Sequence, residues 1–232
     1  MCNTACIIFG ASSLKPEEIK GRRVLEIGSK NVNGGLRDII ENWDPAEYMG
    51  IDIESGGGVD VVYDVKDIIN KFGKNSFDIV ISTEMLEHVR DWRVAVSNIK
   101  NACKPNGIML LTTQSLGSNY HAFPDDFWRY EISDMQNIFQ DCKIEKLETD
   151  KVLPGVFIKA TKPINFIEHD LFGYELYSVI TKKKIINLDE KLFIDFKKKY
   201  FRRQFVKISV RRAMKIIRLP LPLISKIFRV DF

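Results

Sequence analysis

Val24-Leu25-Glu26-Ile27-Gly28-Ser29 runs into Lys30-Asn31-Val32-Asn33-Gly34-Gly35, and the reading of this stretch decides the fold. A short apolar run closed by an acid and a glycine has the pattern of a buried strand that ends where backbone approaches a ligand. Glycine permits that approach and a positive φ, and asparagine tolerates left-handed geometry better than most residues. A helix starting just beyond would turn its free amide groups toward the same ligand. The next acid in register is Asp52, at the end of a second apolar run. A carboxylate there can accept both ribose hydroxyls of a nucleoside.

Working outward, apolar runs rich in Val and Ile alternate with helical patterns. This predicts βαβ order and a mainly parallel sheet covered on both faces. Strands are expected at 23–27, 48–53, 59–63, 77–82 and 108–113, and helices at 36–41, 65–72, 92–103 and 133–139. Ser133 with Gln136 reads as a capping box, and Lys104-Pro105-Asn106-Gly107 as a turn. A final antiparallel pair is expected at 143–151 and 156–161, joined at Pro154 and Gly155. The 232 residues suit one domain over 1–162 and a C-terminal extension over 163–232.

The ordered strand ends resemble those of class I S-adenosylmethionine-dependent methyltransferases, in particular the type 11 group, over residues 20 to 160. Glu26 to Gly34 is similar to their first motif, Asp52 to the ribose-binding acid and Asp64 to the acid beside the adenine. Phe77 to Ser82 is similar to their fourth strand, and Lys104 to Thr113 to their fifth. The resemblance implies a Rossmann-like, doubly wound, mainly parallel seven-stranded sheet with helices on both faces. It places Gly28, Ser29 and Gly34 at the methionine part of the cofactor, Asp52 and Ile53 at the ribose, and Asp64 and Val65 at the adenine, and counts Glu26 and Asn33 among the cofactor-binding residues. Thr83 and Glu84 close the pocket. Lys30 and Val32 occupy the places of the second and third glycines of the familiar spacing; a dinucleotide loop needs closely spaced glycines for a pyrophosphate, and their absence counts against NAD.

Two further clusters carry chemistry. Glu84-Met85-Leu86-Glu87-His88 follows the fourth strand; on a helix, Glu84, Glu87 and His88 would share a face. Similar Glu-x-x-Glu-His segments occur in ubiquinone-pathway O-methyltransferases and small-RNA 2′-O-methyltransferases. With His121 they make a candidate set for Mg²⁺ or another divalent ion, and two histidines favour a softer one; the same residues can instead only pack and border the cofactor. The other cluster is Tyr120-His121-Ala122-Phe123-Pro124-Asp125-Asp126-Phe127-Trp128-Arg129-Tyr130. Loops beyond strand ends carry substrate contacts, so Tyr120, Asp125, Trp128, Arg129 and Tyr130 are candidates for the acceptor. Phe127, Trp128 and Tyr130 can equally cap the core. His121 is the candidate base with Asp126 behind it. The loop resembles those of methyltransferases that accompany glycosyltransferases in surface-polysaccharide pathways, which implies O-methylation of a saccharide or lipid-linked saccharide. A nucleic-acid or small-metabolite acceptor, or a non-catalytic binding protein, are the alternatives.

Charge is uneven: residues 197–232 hold twelve Lys or Arg and one acid, giving a tail of +11 on a body of −7. A helix over Tyr200 to Leu219 is expected to carry an apolar and a cationic face, suited to an anionic membrane surface or to the body's acidic surface, with nucleic acid less favoured. Cys2, Cys6, Cys103 and Cys142 are too sparse for a disulfide scaffold. Together with the absence of a leader-like start or a long apolar run, this leads to the expectation of a cytoplasmic protein, peripheral to the membrane at most.

Overall fold

The computed structural model describes residues 3–121 and 125–217, with side chains described through 209. β1 (Arg23–Ile27) lies between β2 (Glu47–Asp52) and β4 (Phe77–Thr83), parallel to both. Layers cover both of its faces, so all but Arg23 are buried, Glu26 included; that is why the run is apolar throughout rather than alternating.

The sheet order is β3-β2-β1-β4-β5-β8-β7. β3 (Val61–Val62) forms one edge, and β5 (Cys103–Gln114) continues the parallel set beyond β4. β8 (Gly155–Thr161) runs antiparallel to β5, and β7 (Lys143–Thr149) antiparallel to β8. The chain thus winds outward from β1 to β3, then returns to β4 on the other side. This reversal opens a crevice outside the carboxyl ends of β1 and β4, the place where ligands bind in doubly wound sheets. The Rossmann-like reading holds, with β8 as the antiparallel member.

Helices cover the sheet where the period of apolar residues allows. α5 (Trp92–Ala102) buries Trp92, Ala95, Val96 and Ile99, a stripe at helical spacing. α3 (Arg37–Glu41) follows β1, and a 3₁₀ turn (Val65–Asp67) leads into α4 (Ile68–Phe72). α6 (Ile132–Ile138) is capped by Glu131 and Asp134 rather than by Ser133 and Gln136. Lys104 to Gly107 lies inside β5, where Asn106 takes a φ of 61° and the β4–β5 register shifts. The turn residues are used there as an irregularity within the strand.

Two N-terminal helices had no clear signature. α1 (Thr4–Ser13) is apolar around most of its circumference, which hides its period, although Asn3 caps it by accepting from the Ala5 and Cys6 amides. It packs Phe9 against Phe157 with ring centroids 5.0 Å apart. α2 (Pro16–Ile19) follows. Cys2 lies outside the described residues.

Contacts divide the chain into Met1–Ile186 and Asn187–Phe232. Residues 163–186 add β9 (Leu176–Ser178) and β10 (Lys183–Ile185) to the first unit, in a small antiparallel sheet with β6 (Trp128–Arg129). Arg93 fastens this return by donating to the carbonyls of Leu171, Tyr174 and Ile186. The second unit holds α7 (Glu190–Ile217), which begins ten residues before the expected start; Leu219 lies outside the described residues. Within the expected stretch Phe201, Phe205 and Ile208 share one row, and Phe193, Phe196 and Tyr200 make a second, less exposed one. Among the described residues no helix is long and apolar enough to cross a membrane.

A buried charge joins α5 to the end of α6: Lys100 Nζ donates to the Ile138 carbonyl (2.6 Å) and to Asp141 Oδ2 (2.7 Å). Both side chains are almost wholly buried. Asp141→Ala is expected to cost ~3–5 kcal/mol in urea unfolding, restored in large part by adding Lys100→Met, because the single change strands an ammonium group. A cost below about 1 kcal/mol, the value of an exposed pair, would refute this.

Candidate active site

At the switch point the first loop is built as its glycine pattern requires, with one substitution of means. Gly28 has a φ of 79°, and a Cβ there would lie 2.8 Å from the Cβ of Met85. The Gly28 and Ser29 amides both donate to the Ile51 carbonyl, which fixes the loop to β2. Where further glycines are missing, Asn31 supplies the turn: its Oδ1 accepts from the Gly34 amide (2.9 Å), and its amide donates to the Gly57 carbonyl. Gly50 in β2 lets the returning chain close over the strand, since a Cβ there would lie 2.2 Å from the Gly58 carbonyl.

The resulting cavity measures about 780 Å³, within the usual range for small-molecule sites. Its walls include Glu26, Gly28, Ser29, Gly34, Asp52, Ile53, Asp64, Val65, Thr83 and Glu84, which the sequence had placed at a cofactor. Asn33 is not among them. Asp52 accepts from the Lys30 amide through Oδ2 (3.2 Å) and from the Glu54 amide through Oδ1 (3.0 Å). Both oxygens are thereby oriented and keep lone pairs for two ligand hydroxyls. Asp64 caps the following 3₁₀ turn through Lys66 N. The Ser29 hydroxyl is buried without a hydrogen-bond partner, packed against Gly50, where a Cβ would lie 2.8 Å from it. These residues fit a nucleoside cofactor.

Glu26 is 4% exposed. Burial pushes its carboxyl up to about 7, against the opposing hydrogen bond from Tyr48 Oη (3.0 Å) and the charge of Arg37. Arg37 is anchored by Asp60 and Glu41. Neither Tyr48 nor this network was foreseen, since their partners lie on different elements.

Beyond β4 the expected helix does not form. Glu84 takes a left-handed φ of 53°, its amide still donating to the Thr112 carbonyl, and the chain then makes a 3₁₀ turn over Leu86–His88. A non-glycine residue held so costs about 1–3 kcal/mol and marks a constrained site. The kink separates Glu84 from its expected partners: its carboxylate meets Gln114 and the Cys6 thiol instead. Burial, then the charge of Glu87, hold the Glu84 carboxyl well above the usual range. Cys6, on the unforeseen α1, is a part of this site that the local sequence could not reveal.

Glu87, His88 and His121 do converge, with one potential ligand atom from each within 4.8 Å of the others. Thr113 Oγ1 donates to Glu87 Oε2 (2.8 Å), while Glu87 Oε1 is buried with no hydrogen-bond partner. His88 Nδ1 lies 2.9 Å from the Asp125 carbonyl, and His121 Nδ1 lies 3.0 Å from Asp126 Oδ2. Those acceptors require a proton on each Nδ1, which turns both Nε2 atoms toward each other at 3.1 Å. Burial lowers the His88 pKa, against the neighbouring Glu87 charge.

The aromatic and ionic loop is placed differently from expectation. Asp126 and Arg129 are buried and joined by two bonds of 2.5 and 2.6 Å. Arg129 also donates to the Ser118 and Asn119 carbonyls. Burial would raise the Asp126 carboxyl, but the bonds from Arg129 and His121 outweigh it and hold it at about 2. Trp128 Nε1 donates to the Val89 and Arg90 carbonyls, and Tyr130 Oη to that of Leu86. Trp128 and Tyr130, expected at the acceptor, therefore hold residues 86–90 in place, and Arg129, expected there too, instead ties Asp126 to the 118–119 backbone. Tyr120, His121, Asp125 and Asp126 do not line the cavity; His88 and Phe127 do, with Arg90 and Asp91. Ala122 to Pro124 lie outside the described residues.

This fold and cavity define a domain of the S-adenosylmethionine-dependent methyltransferase class. The chain belongs to the methyltransferase-domain family, whose model matches residues 11–146. A ubiquinone biosynthesis O-methyltransferase of Sinorhizobium fredii is 29% identical over 126 residues, 47% of this chain and 47% of that protein; the chain thus spans about half the length of this curated relative. The fold is also that of an S-adenosylmethionine-dependent methyltransferase from Mesorhizobium loti (TM-score 0.52, 15% identity, 68% of this chain and 99% of that one). A Burkholderia thailandensis 1,6-didemethyltoxoflavin-N1-methyltransferase with S-adenosylhomocysteine bound is similar too (TM-score 0.55, 11% identity, 69% and 80%).

A cationic ligand binds more tightly once Glu26 is ionised, so S-adenosylmethionine affinity is expected to rise from pH 6 to pH 8, through the Glu26 value of about 7. Calorimetry should show this rise flattened in Glu26→Gln; an unchanged rise would assign it elsewhere.

Proposed function

We propose that the chain transfers the methyl group of S-adenosylmethionine to an oxygen, the acceptor being a hydroxyl of a glycan or lipid-linked saccharide. The observation that carries an oxygen acceptor is His88 in the cavity wall beside Thr83 and Glu84, backed by Glu87, His121 and Asp126. A hydroxyl, unlike an amine with a free lone pair, must lose its proton in the reaction, and this cluster supplies groups to hold one. The saccharide reading is supported by the resemblance of the 120–130 loop.

The sulfonium methyl is already activated, so the protein's task is alignment and proton management. Gly28, Ser29, Asp52 and Asp64 hold the cofactor at the switch point. Asp126 is a positioning residue: pinned by Arg129, it fixes the tautomer and orientation of His121, as the Asp125 carbonyl does for His88. The same donor set fits a divalent ion through Glu87, His88 and His121, two imidazoles favouring a transition ion over Mg²⁺. When bound, such an ion would act as a Lewis acid on the acceptor oxygen. A small-metabolite acceptor is the second reading, favoured by the names of the relatives above.

Turnover is measured as S-adenosylhomocysteine release with sugar nucleotides and lipid-linked saccharides as acceptors. His88→Ala and His121→Ala are expected to lower kcat about 100-fold or more while the cofactor Kd moves little. Equal loss of both would make the histidines structural, and no cofactor binding at all would support a non-catalytic protein. Dialysis against a chelator should abolish turnover and Zn²⁺ or Mn²⁺ restore it; full activity after exhaustive chelation excludes the metal.

A further inference from the structure

The second unit carries a surface that catalysis does not use. Along α7, Phe193, Phe196, Tyr200 and Gln204 recur at helical spacing and are sheltered or half-buried, with Phe196 and Tyr200 stacked at 6.2 Å. A second row, Ile194, Phe201, Phe205 and Ile208, follows the same period on another side and is exposed, Phe205 by 72%. Lys197 flanks that row on one side, Lys198 and Arg202 on the other, by their positions around the helix. From Lys197 to Ile217 the sequence holds nine cations and no acid.

We propose that this row is a docking surface for an anionic lipid bilayer, on which α7 lies in the plane of the interface. Large apolar side chains left in water gain by entering the acyl boundary, and Lys and Arg at the edges of the row can extend to lipid phosphates while their stems stay apolar. Charge decides the occupant. A protein groove complementary to the row would meet cations on both edges, whereas an anionic bilayer supplies apolar depth and negative charge together. A nucleic acid matches the charge but leaves Ile194 and Ile208 in water, since its recognition rests on stacking aromatics and phosphate contacts. The surface would bring the chain to membrane-embedded material, with no spanning helix among the described residues.

The test is sedimentation of the full chain with sucrose-loaded vesicles of phosphatidylcholine alone or with added phosphatidylglycerol. Binding is expected only with the anionic lipid, and to weaken with salt. Lys198→Glu with Arg202→Glu should reduce it about tenfold or more, as should Phe205→Ser with Ile208→Ser, with helix content by circular dichroism and cofactor affinity unchanged. Equal binding to neutral vesicles, or wild-type binding by the Phe205 and Ile208 variant, would overturn the proposal. So would single-stranded RNA retaining the protein at lower concentration than the vesicles do.

Discussion

Parallel pairing of β1 between β2 and β4 is the constraint from which the rest follows. A strand paired on both edges and covered on both faces leaves its polar groups no access to water except at its ends, so its residues are apolar and its one acid, Glu26, is forced into burial. Because the chain continues to β2 on one side and returns to β4 on the other, the carboxyl ends of β1 and β4 diverge in connection. The crevice between those connections cannot be filled by the chain itself. Gly28, Asp52 and Asp64 all stand at its rim, which is why acids and glycines at strand ends carry the chemistry of this fold.

The second half of the site depends on a kink. Had residues 84–88 continued as a helix, Glu84 would have joined Glu87 and His88 on one side. The left-handed Glu84 instead keeps its amide on β5 and sends its carboxylate to Gln114 and Cys6, while the 3₁₀ turn aims Glu87 and His88 at His121. Such a conformation persists only when its surroundings over-determine it. Trp128, Tyr130 and the Asp126–Arg129 pair do so, through bonds to the carbonyls of Leu86, Val89 and Arg90 and to the loop that bears His121. Residues that look like ligand contacts by composition serve here as the scaffold of the contact.

The strands and most helices could be read from the chain because each records its burial in its own period: β1, β4 and α5 are clear examples. The cofactor rim was legible for the same reason, since each of its acids and glycines marks the end of a local element. α1 was not, being apolar on most sides, and Cys6 and the Tyr48–Glu26 bond went with it, because a contact between elements distant in sequence leaves no local trace. In α7, helix and charge were legible, but the division of its apolar residues into a sheltered and an exposed row was not.

By itself, then, the sequence determined the alternation of strands and helices, the order of acids at the strand ends and the cationic tail, all consequences of short-range preferences and of burial repeated along each element. Tertiary structure alone decided which polar groups face the cavity. Arg129 and Asp126 are as polar as His88, yet they satisfy each other in the interior, while His88, held by a carbonyl of another loop, borders the cavity. Whether a polar side chain is buried in a pair or presented to a ligand depends on which partners the fold brings within hydrogen-bond reach, and those partners are distant along the chain.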